Sequence, residues 1–350
     1  MVLNKYDNET YLKPYWCGDT IYHEAVTFIK KNEEYAVASL LFEPTEIISL
    51  RSSTLEQEYI LGKDYTVNGK EIIVTKDSRI PVIDYDELFC NEKSFPSKTS
   101  DKHYKYIGNA DIILKQVAIT YKHSGKWNGY IPTFSGKLLP ETCKKLKNGD
   151  KLHITFVGDS ITVAGDTSGM SRVAPFMPRY PEMTVQALKR ITDCNITFDN
   201  FAIAGTSSGY FFNNKDLSDK ASDSSPDLLI IAYGMNDSID AEDFKENIKN
   251  IYFTVREKNP DCECIAVSTL VPNRDACWEG GSPIYKYQDK YESALTSLEE
   301  TGFAVARMTS IYKYLEENKG FYSLTGNGIN HPNDFVVRAY AQTLVTMLAE

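Results

Sequence analysis

The residue with the clearest chemical potential is a serine that follows an apolar stretch. The stretch Leu152–Val157 is rich in β-branched and aromatic side chains and is short enough for a buried strand. It is followed directly by Gly158-Asp159-Ser160. A buried parallel strand delivers the next side chain to the carboxyl edge of its sheet, where open α/β sheets bind ligands. Ser160 is therefore a candidate nucleophile, provided that a base reaches it. The alternative is that Asp159 and Ser160 only cap the following helix.

Other residues suited to acyl transfer follow later strand patterns. Gly205 comes after the second strand pattern, Asn236 after the third, and His331 stands just before the last helical pattern. A histidine can accept the proton of a serine as general base. The N–H groups of Ser160 and Gly205, together with the side-chain amide of Asn236, can bind a developing oxyanion. Because these residues lie far apart in the chain, the fold must bring them together.

Strand and helix patterns alternate from Lys151 onward. The strand patterns cover Leu152–Val157, Ile196–Ile203, Leu228–Tyr233, Cys264–Leu270 and Phe303–Met308, and the amphipathic patterns cover Glu182–Ile191, Ala241–Lys258, Ile284–Glu300 and Asp334–Leu348. This alternation predicts an α/β fold with a parallel sheet covered by helices on both faces. Right-handed crossovers place the carboxyl ends of all strands at one edge, so the candidate residues should converge there.

Four blocks of the chain resemble the SGNH (GDSL-like) hydrolase superfamily. The blocks are Gly158–Ser160, Gly205, Gly234-Met235-Asn236-Asp237 and His331-Pro332, in that order and after predicted strands. The resemblance implies a flavodoxin-like three-layer fold and an ester hydrolase. It also implies Ser160 as nucleophile, His331 as base, and an oxyanion hole from Ser160, Gly205 and Asn236. The stretch around Ser160 is not a Gly-x-Ser-x-Gly elbow, which argues against the α/β-hydrolase fold.

One departure from the family pattern concerns the residue that orients His331. The family usually has Asp three residues before the histidine, where this chain has Gly328, and Asn327 carries no charge either. Loss of the carboxylate from a Ser-His-Asp triad lowers the rate by about 10⁴. A main-chain carbonyl is the first candidate replacement, which would give a Ser-His dyad. Asp334 is the nearest acid and the alternative third member, although a helix cap explains it more simply.

The first part of the chain reads as short strands separated by turns. Strand patterns cover Glu24–Lys30, Ile47–Ser52, Tyr65–Val67, Ile72–Thr75 and Val117–Tyr121. Asn68-Gly69 between two of them predicts a hairpin. Regularly spaced short strands predict a β-sandwich or jelly roll. Asn91–Lys105 is predicted to be a surface loop and Leu138–Asp150 a linker.

We therefore expect an accessory β-domain over residues 1–148 and an SGNH hydrolase domain over residues 149–350. The accessory domain is expected either to contribute residues to the rim of the active site or to help form a homo-oligomer such as a dimer.

Composition limits the partners and the compartment. The net charge of −10 argues against nucleic acid, because phosphate binding needs a basic face. The sequence starts without a signal-peptide pattern, and no apolar run approaches the ~18 residues of a membrane span, so we expect a cytoplasmic protein without a membrane partner. The seven scattered cysteines indicate reduced thiols. Cys262 and Cys264 form a close pair without a second Cys or His pair nearby, which argues against a metal site there. Acyl transfer by a serine and a histidine needs no metal or organic cofactor, so none is expected.

The order of the two regions is similar to that of some carbohydrate esterases, including members described with a Ser-His dyad. We therefore predict a serine ester hydrolase that removes small acyl groups, chiefly acetyl, from oligosaccharides. Trp278 follows the fourth strand pattern and could stack on a sugar ring, and an ordinary packing role is the alternative.

Two other functions are kept as alternatives. A lipid esterase, lysophospholipase or thioesterase would need an apolar groove, whereas the loops Thr206–Asn214 and Pro272–Tyr285 mix aromatic and polar residues. A non-catalytic glycan-binding protein would have no physical reason to keep the four candidate residues together.

Overall fold

The computed structural model describes residues 7–32, 35–91 and 94–350. Within these residues the amino-terminal part consists mainly of short strands. Its elements are α1 (Asn8–Tyr11), β1 (Thr20–Thr27), β2 (Ile29–Lys30), β3 (Val37–Ser39), β4 (Pro44–Ser52), β5 (Glu58–Tyr59), β6 (Tyr65–Asn68), β7 (Glu71–Val74), β8 (Ile83–Asp84), β9 (Phe89–Cys90), β10 (Phe95–Pro96), β11 (His103–Tyr104) and β12 (Gln116–His123), with 3₁₀ turns at Tyr85–Leu88 and Ile113–Lys115.

These strands form mainly antiparallel sheets. One has the order β1-β12-β4-β5 and another the order β6-β7-β3-β2-β8. The arrangement is consistent with the predicted β-sandwich. The predicted hairpin is confirmed, since β6 and β7 pair antiparallel with Asn68 opposite Glu71, and Gly69 adopts a φ of 56° in the turn.

The prediction of a simple loop over Asn91–Lys105 is wrong. This stretch contains β10 and β11, which join β9 in a three-stranded antiparallel sheet. The strands form because Phe95 and Tyr104 pack against a small cluster around Ile284 and Ile329, far along the chain. Local polarity therefore misled the sequence reading.

The predicted linker Leu138–Asp150 contains a helix, α2 (Pro140–Asn148). Proline and glycine are typical of loops, and here they mark the two ends of the helix. Pro140 stands in the first turn, where its missing N–H is harmless, and Gly149 ends the helix with a left-handed φ of 73°.

The carboxyl-terminal part alternates strands and helices. The strands are β13 (Lys151–Gly158), β14 (Asn195–Asn200), β15 (Leu228–Ala232), β16 (Glu263–Val267) and β17 (Phe303–Ala306), and the helices are α3 (Ser160–Val163), α4 (Tyr180–Ile191), α5 (Ser208–Asn213), α6 (Lys215–Asp223), α7 (Ala241–Lys258), α8 (Gln288–Thr296), α9 (Met308–Lys319) and α10 (Asp334–Leu348), with a 3₁₀ turn at Phe321–Ser323. The five strands are parallel in the order β14-β13-β15-β16-β17, which confirms the flavodoxin-like sheet.

Most predicted elements of this part occur close to their expected positions. The bounds of α7 and α10 agree with the prediction, whereas α8 is shorter than the predicted Ile284–Glu300. Ile284 instead donates its N–H to the carbonyl of Ala276 and is buried with it in a loop. The helix α6 is rich in Lys, Asp and Ser, so its apolar pattern was too weak to predict it.

The two parts of the chain share one hydrophobic core. A single cluster of buried side chains includes residues of β1, β4 and β12 together with residues of β13, α4 and α10. Polar contacts join the same surfaces: Glu24 of β1 and Lys319 of α9 form an ion pair in which both side chains are fully buried. The boundary at residues 148 and 149 stays a prediction, and the packing across it is continuous. In the described chain, no helix has both the length and the apolar character needed to cross a bilayer.

Candidate active site

Ser160 lies two residues after Gly158, the last residue of strand β13, at the start of α3. A Cβ atom on Gly158 would lie 2.6 Å from the Ala232 carbonyl oxygen and from Thr162 Oγ1, so glycine permits the close approach of the strand to β15. Asp159 caps α3 by accepting a hydrogen bond of 2.9 Å from the N–H of Ile161. The capping interpretation therefore holds for Asp159, whereas the Ser160 hydroxyl has a different partner.

That partner is His331. Its Nε2 lies 2.8 Å from Ser160 Oγ, and its Nδ1 lies 2.6 Å from Asp166 Oδ2. The three side chains are largely buried, with exposures of 15% for His331 and 7% for Asp166. Because the carboxylate accepts the Nδ1 proton, Nε2 is left with the lone pair that can take a proton from Ser160.

Asp166 corrects both sequence expectations for the group that orients His331. The imidazole contacts a carboxylate, so neither a main-chain carbonyl nor Asp334 takes that position. Asp334 lies at the start of α10 and accepts hydrogen bonds from the N–H and hydroxyl of Ser168, at 2.8 and 2.5 Å. Asn333 caps the helix by accepting from the N–H of Val336. Asp334 therefore joins the start of α10 to the loop that carries Ser168.

Asp166 could not be predicted from the family pattern, which places the acid three residues before the histidine. Asp166 follows Ser160 by six residues and adopts a left-handed φ of 56° in the turn after α3. The available signal was its place in the loop directly after the serine block, at the carboxyl edge of β13.

The loop that carries His331 is folded around Asn327. The side-chain oxygen of Asn327 accepts hydrogen bonds from the N–H groups of Ile329, Asn330 and His331, at 2.9, 3.0 and 3.1 Å. Its amide nitrogen donates to Asp166 Oδ2 at 3.1 Å. Asn327 thus connects the histidine loop to the carboxylate without carrying charge itself.

The hydrogen bonds around Asp166 keep it ionised. Burial alone raises the pKa of a carboxyl group, but donors from His331 and Tyr106 outweigh burial and hold the pKa of Asp166 below its ordinary value. An ionised Asp166 favours a protonated imidazole beside it, which is the state that His331 would reach after taking a proton from Ser160.

Gly205 and Asn236 lie in neighbouring loops at the same edge of the sheet. Gly205 adopts a φ of 78°, where a side chain would be strained. The amide of Asn236 donates to the carbonyl of Thr206 at 3.0 Å, and the N–H of Ile203 donates to the carbonyl of Gly158. These bonds join the loops after β13, β14 and β15. The oxyanion-binding role of the two residues remains a prediction.

Two buried carboxyl groups support these loops. Asp237 accepts hydrogen bonds from both the N–H and the hydroxyl of Ser208. Burial raises the pKa of Asp159 to about 7, and the nearby Asp237 contributes in the same direction.

Among the described residues, no three His, Cys, Asp or Glu side chains are arranged to hold a metal ion.

Trp278 lies in the loop after β16 and belongs to a row of aromatic rings. Its ring centroid is 6.0 Å from that of Phe95, which is 6.4 Å from that of Tyr106. Tyr106 in turn donates its hydroxyl to Asp166. Two of the three rings come from the amino-terminal part, so both parts of the chain border the candidate site.

Solved structures that are similar to this chain include esterases and lipases of low sequence identity. They include a protein described as a GDSL-like lipase from Parabacteroides merdae ATCC 43184, with 16% identity and a TM-score of 0.42 over 57% of this chain and 96% of the other. A two-domain esterase active on acetylated mannans has 21% identity and a TM-score of 0.45 over 63% of this chain and 54% of the other. A catalytic mutant of an acetylxylan esterase from Geobacillus stearothermophilus has 16% identity and a TM-score of 0.42 over 54% of this chain and 91% of the other.

These likenesses are too weak to transfer a substrate to this chain. A search among curated proteins found no match. The profile of the GDSL-like Lipase/Acylhydrolase family, by contrast, matches residues 156–336, just over half of the chain, and this stretch includes Ser160, Asp166 and His331. The chain therefore belongs to the GDSL-like Lipase/Acylhydrolase family.

Proposed function

We propose that this protein is a serine ester hydrolase that removes small acyl groups, chiefly acetyl, from carbohydrates. The observation that carries the proposal is the hydrogen-bonded chain from Ser160 through His331 to Asp166. A hydroxyl, an imidazole and a carboxylate in this order form the machinery of serine acyl transfer, which is recognised by geometry rather than by sequence position.

The proposed reaction has two stages. Ser160 Oγ attacks the ester carbonyl while His331 Nε2 takes its proton, and Asp166 stabilises the resulting imidazolium. The N–H groups of Ser160 and Gly205 and the amide of Asn236 bind the tetrahedral oxyanion. His331 then protonates the departing sugar oxygen, which leaves an acyl-serine. A water molecule, activated by His331, releases acetate and restores the enzyme.

The row of rings formed by Trp278, Phe95 and Tyr106 supports a carbohydrate as the alcohol part of the ester. The row begins at the residue that touches Asp166, and all three rings are partly exposed. Aromatic faces pack well against the apolar faces of sugar rings, while the phenol and indole groups still offer hydrogen bonds. Trp278 is therefore proposed as a substrate-binding residue.

A lipid or thioester substrate is the second candidate. It is favoured by the exposed apolar side chains of Ile203, Tyr210 and Phe212, which flank Gly205 along the chain. A long acyl chain could bury part of this surface on binding.

A series of p-nitrophenyl esters, from acetyl to decanoyl, separates the two candidates. We expect acetyl to be the best substrate and S160A to lose activity with every ester. W278A is then compared with wild type on p-nitrophenyl acetate and on acetylated oligosaccharides. We expect KM to rise only for the oligosaccharides, because Trp278 lies at the end of the aromatic row away from Asp166 and the small ester does not extend that far.

Other outcomes would point elsewhere. A preference for long chains would favour a lipid or thioester substrate, and activity that survives in S160A would exclude Ser160 as nucleophile. Glycan binding unchanged by S160A, without turnover of any ester, would indicate a non-catalytic glycan-binding protein.

A further inference from the structure

We propose that Tyr106, a residue of the amino-terminal β-rich part, is a positioning residue for catalysis. Its phenolic hydroxyl holds Asp166 in the orientation that His331 requires. The β-rich part would then complete the catalytic machinery rather than serve only as a neighbour. This role rests on the ester hydrolysis proposed above, and the experiments below separate failure of one from failure of the other.

The short segment 106–109 makes three hydrogen bonds to the site. Tyr106 Oη donates to Asp166 Oδ2 at 2.5 Å, and the N–H of Asn109 donates to Asp166 Oδ1 at 3.1 Å. The N–H of Ile107 donates to the carbonyl of Asn327 at 3.0 Å. Both oxygens of the carboxylate and the loop that carries the histidine are therefore held from the amino-terminal part.

Tyr106 is one of four donors to Asp166. The others are His331, the Asn327 amide and the Asn109 N–H, and together they match the roughly four acceptor positions of a carboxylate. Two of the four belong to the amino-terminal part. Without the phenol, the buried carboxylate would lack one charge-assisted hydrogen bond and could turn away from the imidazole.

The backbone of the segment is shaped for this contact. A Cβ atom on Gly108 would lie 2.2 Å from the Tyr106 ring, so the ring can fold back only over a glycine. Asn109 and Ala110 follow with left-handed φ values of 57° and 75°. Ala110 is buried, and Ile112 beside it is anchored in a cluster with the side chains of β8 and the adjacent 3₁₀ turn. The segment is thus held firmly enough to position another residue.

Tyr106 remains a donor at the pH of catalysis. Burial and its hydrogen bond to the Asp166 carboxylate raise the pKa of the phenol above its ordinary value. The hydroxyl therefore keeps its proton over the neutral range and directs it at the carboxylate.

Y106F and Y104F provide a matched comparison. Both variants keep the ring and remove one hydroxyl that donates to an aspartate of the carboxyl-terminal part. Tyr104 donates to Asp275 at 2.9 Å, and Ser97 also donates its hydroxyl to Asp275. With p-nitrophenyl acetate we expect Y106F to lower kcat about 10- to 100-fold with little change in KM, because a misplaced catalytic group affects the transition state more than binding. Y104F should keep the kcat of wild type.

The pH profile gives a readout that a purely structural role would not move. The charged or titratable groups that act on His331 are Asp166, with Tyr106 behind it, and Asp159 beneath the serine. Without the phenol, the Asp166 carboxylate is held less firmly against the imidazole and stabilises the imidazolium less. The acidic limb of kcat/KM should therefore move to lower pH in Y106F and stay in place in Y104F.

A double-mutant cycle with D166N tests whether Tyr106 acts through Asp166. We expect Y106F to have almost no further effect on kcat in the D166N background, because the group that it positions is already disabled. This comparison holds even if Y106F is less stable than wild type, since each pair of variants shares the same background and is assayed well below its unfolding temperature.

The outcomes separate the two proposals. Equal kcat and equal pH profiles for Y106F and Y104F, or full additivity of Y106F with D166N, would overturn the role of Tyr106 and leave the esterase proposal intact. Activity that survives in S160A would overturn the esterase proposal first.

Discussion

The carboxylate of Asp166 connects residues from three separate parts of the chain. It accepts hydrogen bonds from Tyr106 before it in sequence and from Asn327 and His331 after it. A group with this many donors is fixed in place, and a fixed carboxylate is what an imidazole needs to keep one tautomer and one orientation. Replacement of Asp166 should therefore lower kcat strongly.

We expect D166N to lower kcat about 10³- to 10⁴-fold, because the amide can donate to His331 Nδ1 and favour the wrong tautomer. D334N is the control, since Asp334 is also a buried acid near the histidine loop but contacts Ser168. D334N should reduce the free energy of unfolding by about 1–3 kcal/mol and leave kcat within a few-fold of wild type. Steady-state kinetics and urea unfolding of both variants check this, and equal losses of kcat would argue against the assignment.

Gly165 controls the space beside His331. A Cβ atom there would lie 2.8 Å from His331 Cε1 and 3.0 Å from Nδ1. We expect G165A to push the imidazole away from Ser160 and to lower kcat about 10- to 100-fold. G209A is the control, because its added methyl group would meet only Ser207 Oγ at 3.9 Å. Kinetics of the two variants with p-nitrophenyl acetate check the difference, and full activity in G165A would mean that the loop moves to accommodate a methyl group.

The buried carboxyl group of Asp159 makes stability depend on pH. Burial raises its pKa from 3.8 to about 7 in the folded protein. Between about pH 4 and pH 7 the unfolded chain has lost this proton and the folded chain has kept it, so the contribution of this group to stability falls as pH rises. The slope is about 1.4 kcal/mol per pH unit at most.

D159N removes this titration. We expect the unfolding free energy of wild type, relative to D159N, to be lower at pH 8 than at pH 5. Urea unfolding of both proteins at the two values measures the difference, in which other titrating groups cancel. A difference that does not change with pH would show that Asp159 is ionised in the folded protein throughout.

At the scale of elements, the sequence predicted the parallel strands and the convergence of their carboxyl ends. It did not predict Asp166 as the acid that contacts His331. Parallel topology brings any residue that follows a strand to one edge, so Ser160, Gly205 and Asn236 could be located without knowing side-chain contacts. Asp166 reaches His331 through a left-handed turn, and Tyr106 lies sixty positions before Asp166 in the chain. Neither feature leaves a periodic signal in the sequence.

The same distinction explains the errors in the amino-terminal part. Strands rich in β-branched or aromatic residues, such as β4 and β12, could be predicted from the local sequence. The strands β10 and β11 could not, because each has two residues and forms by contact with a distant loop: the N–H of Cys277 donates to the carbonyl of Pro96, and Ser97 pairs with Ala276. Strands that form only through tertiary contacts cannot be predicted from the local sequence pattern.

The contact between α10 and β1 depends on a buried guanidinium group. Arg338 donates to the carbonyls of Tyr22 and His23, at 2.9 and 2.8 Å, where β1 is irregular and His23 has a φ of 45°. We expect R338A to lower the unfolding free energy by about 3 kcal/mol, because two partly buried carbonyls would lose a charged donor and the buried side chain would leave a cavity.

The control for this variant is R190A. Arg190 is exposed and pairs with Glu9 at 3.8 Å, so its loss should change stability by less than about 0.5 kcal/mol. Thermal unfolding of both variants tests the comparison. Similar melting temperatures would mean that α10 is held to β1 by apolar packing alone.

At the scale of the whole molecule, the amino-terminal part behaves as a structural half of the enzyme. Its strands contribute to the same hydrophobic cluster as α4 and α10, and its side chains reach into the polar network behind His331. An accessory domain tethered by a linker would show neither feature. The arrangement therefore supports the expectation that this part contributes to the site, and it leaves open a further role in forming a homo-oligomer.

Deletion of residues 1–138, which leaves α2 intact, tests this view of the whole molecule. The deletion would uncover the faces of α9 and α10 that pack on the amino-terminal strands, remove Glu24, the partner of Lys319, and remove Tyr106. Loss of the apolar contacts of the shared core removes a large part of the free energy that stabilises the remaining chain. We expect the remaining chain to be insoluble or to unfold without a cooperative transition. Soluble yield, circular dichroism during heating and hydrolysis of p-nitrophenyl acetate measure this, with the intact chain and Y106F as references.

A soluble fragment with cooperative unfolding and the kcat of the intact chain would show that the β-rich part is a separable domain. A soluble fragment with the low kcat of Y106F would show that it can be detached from the fold but not from the catalysis.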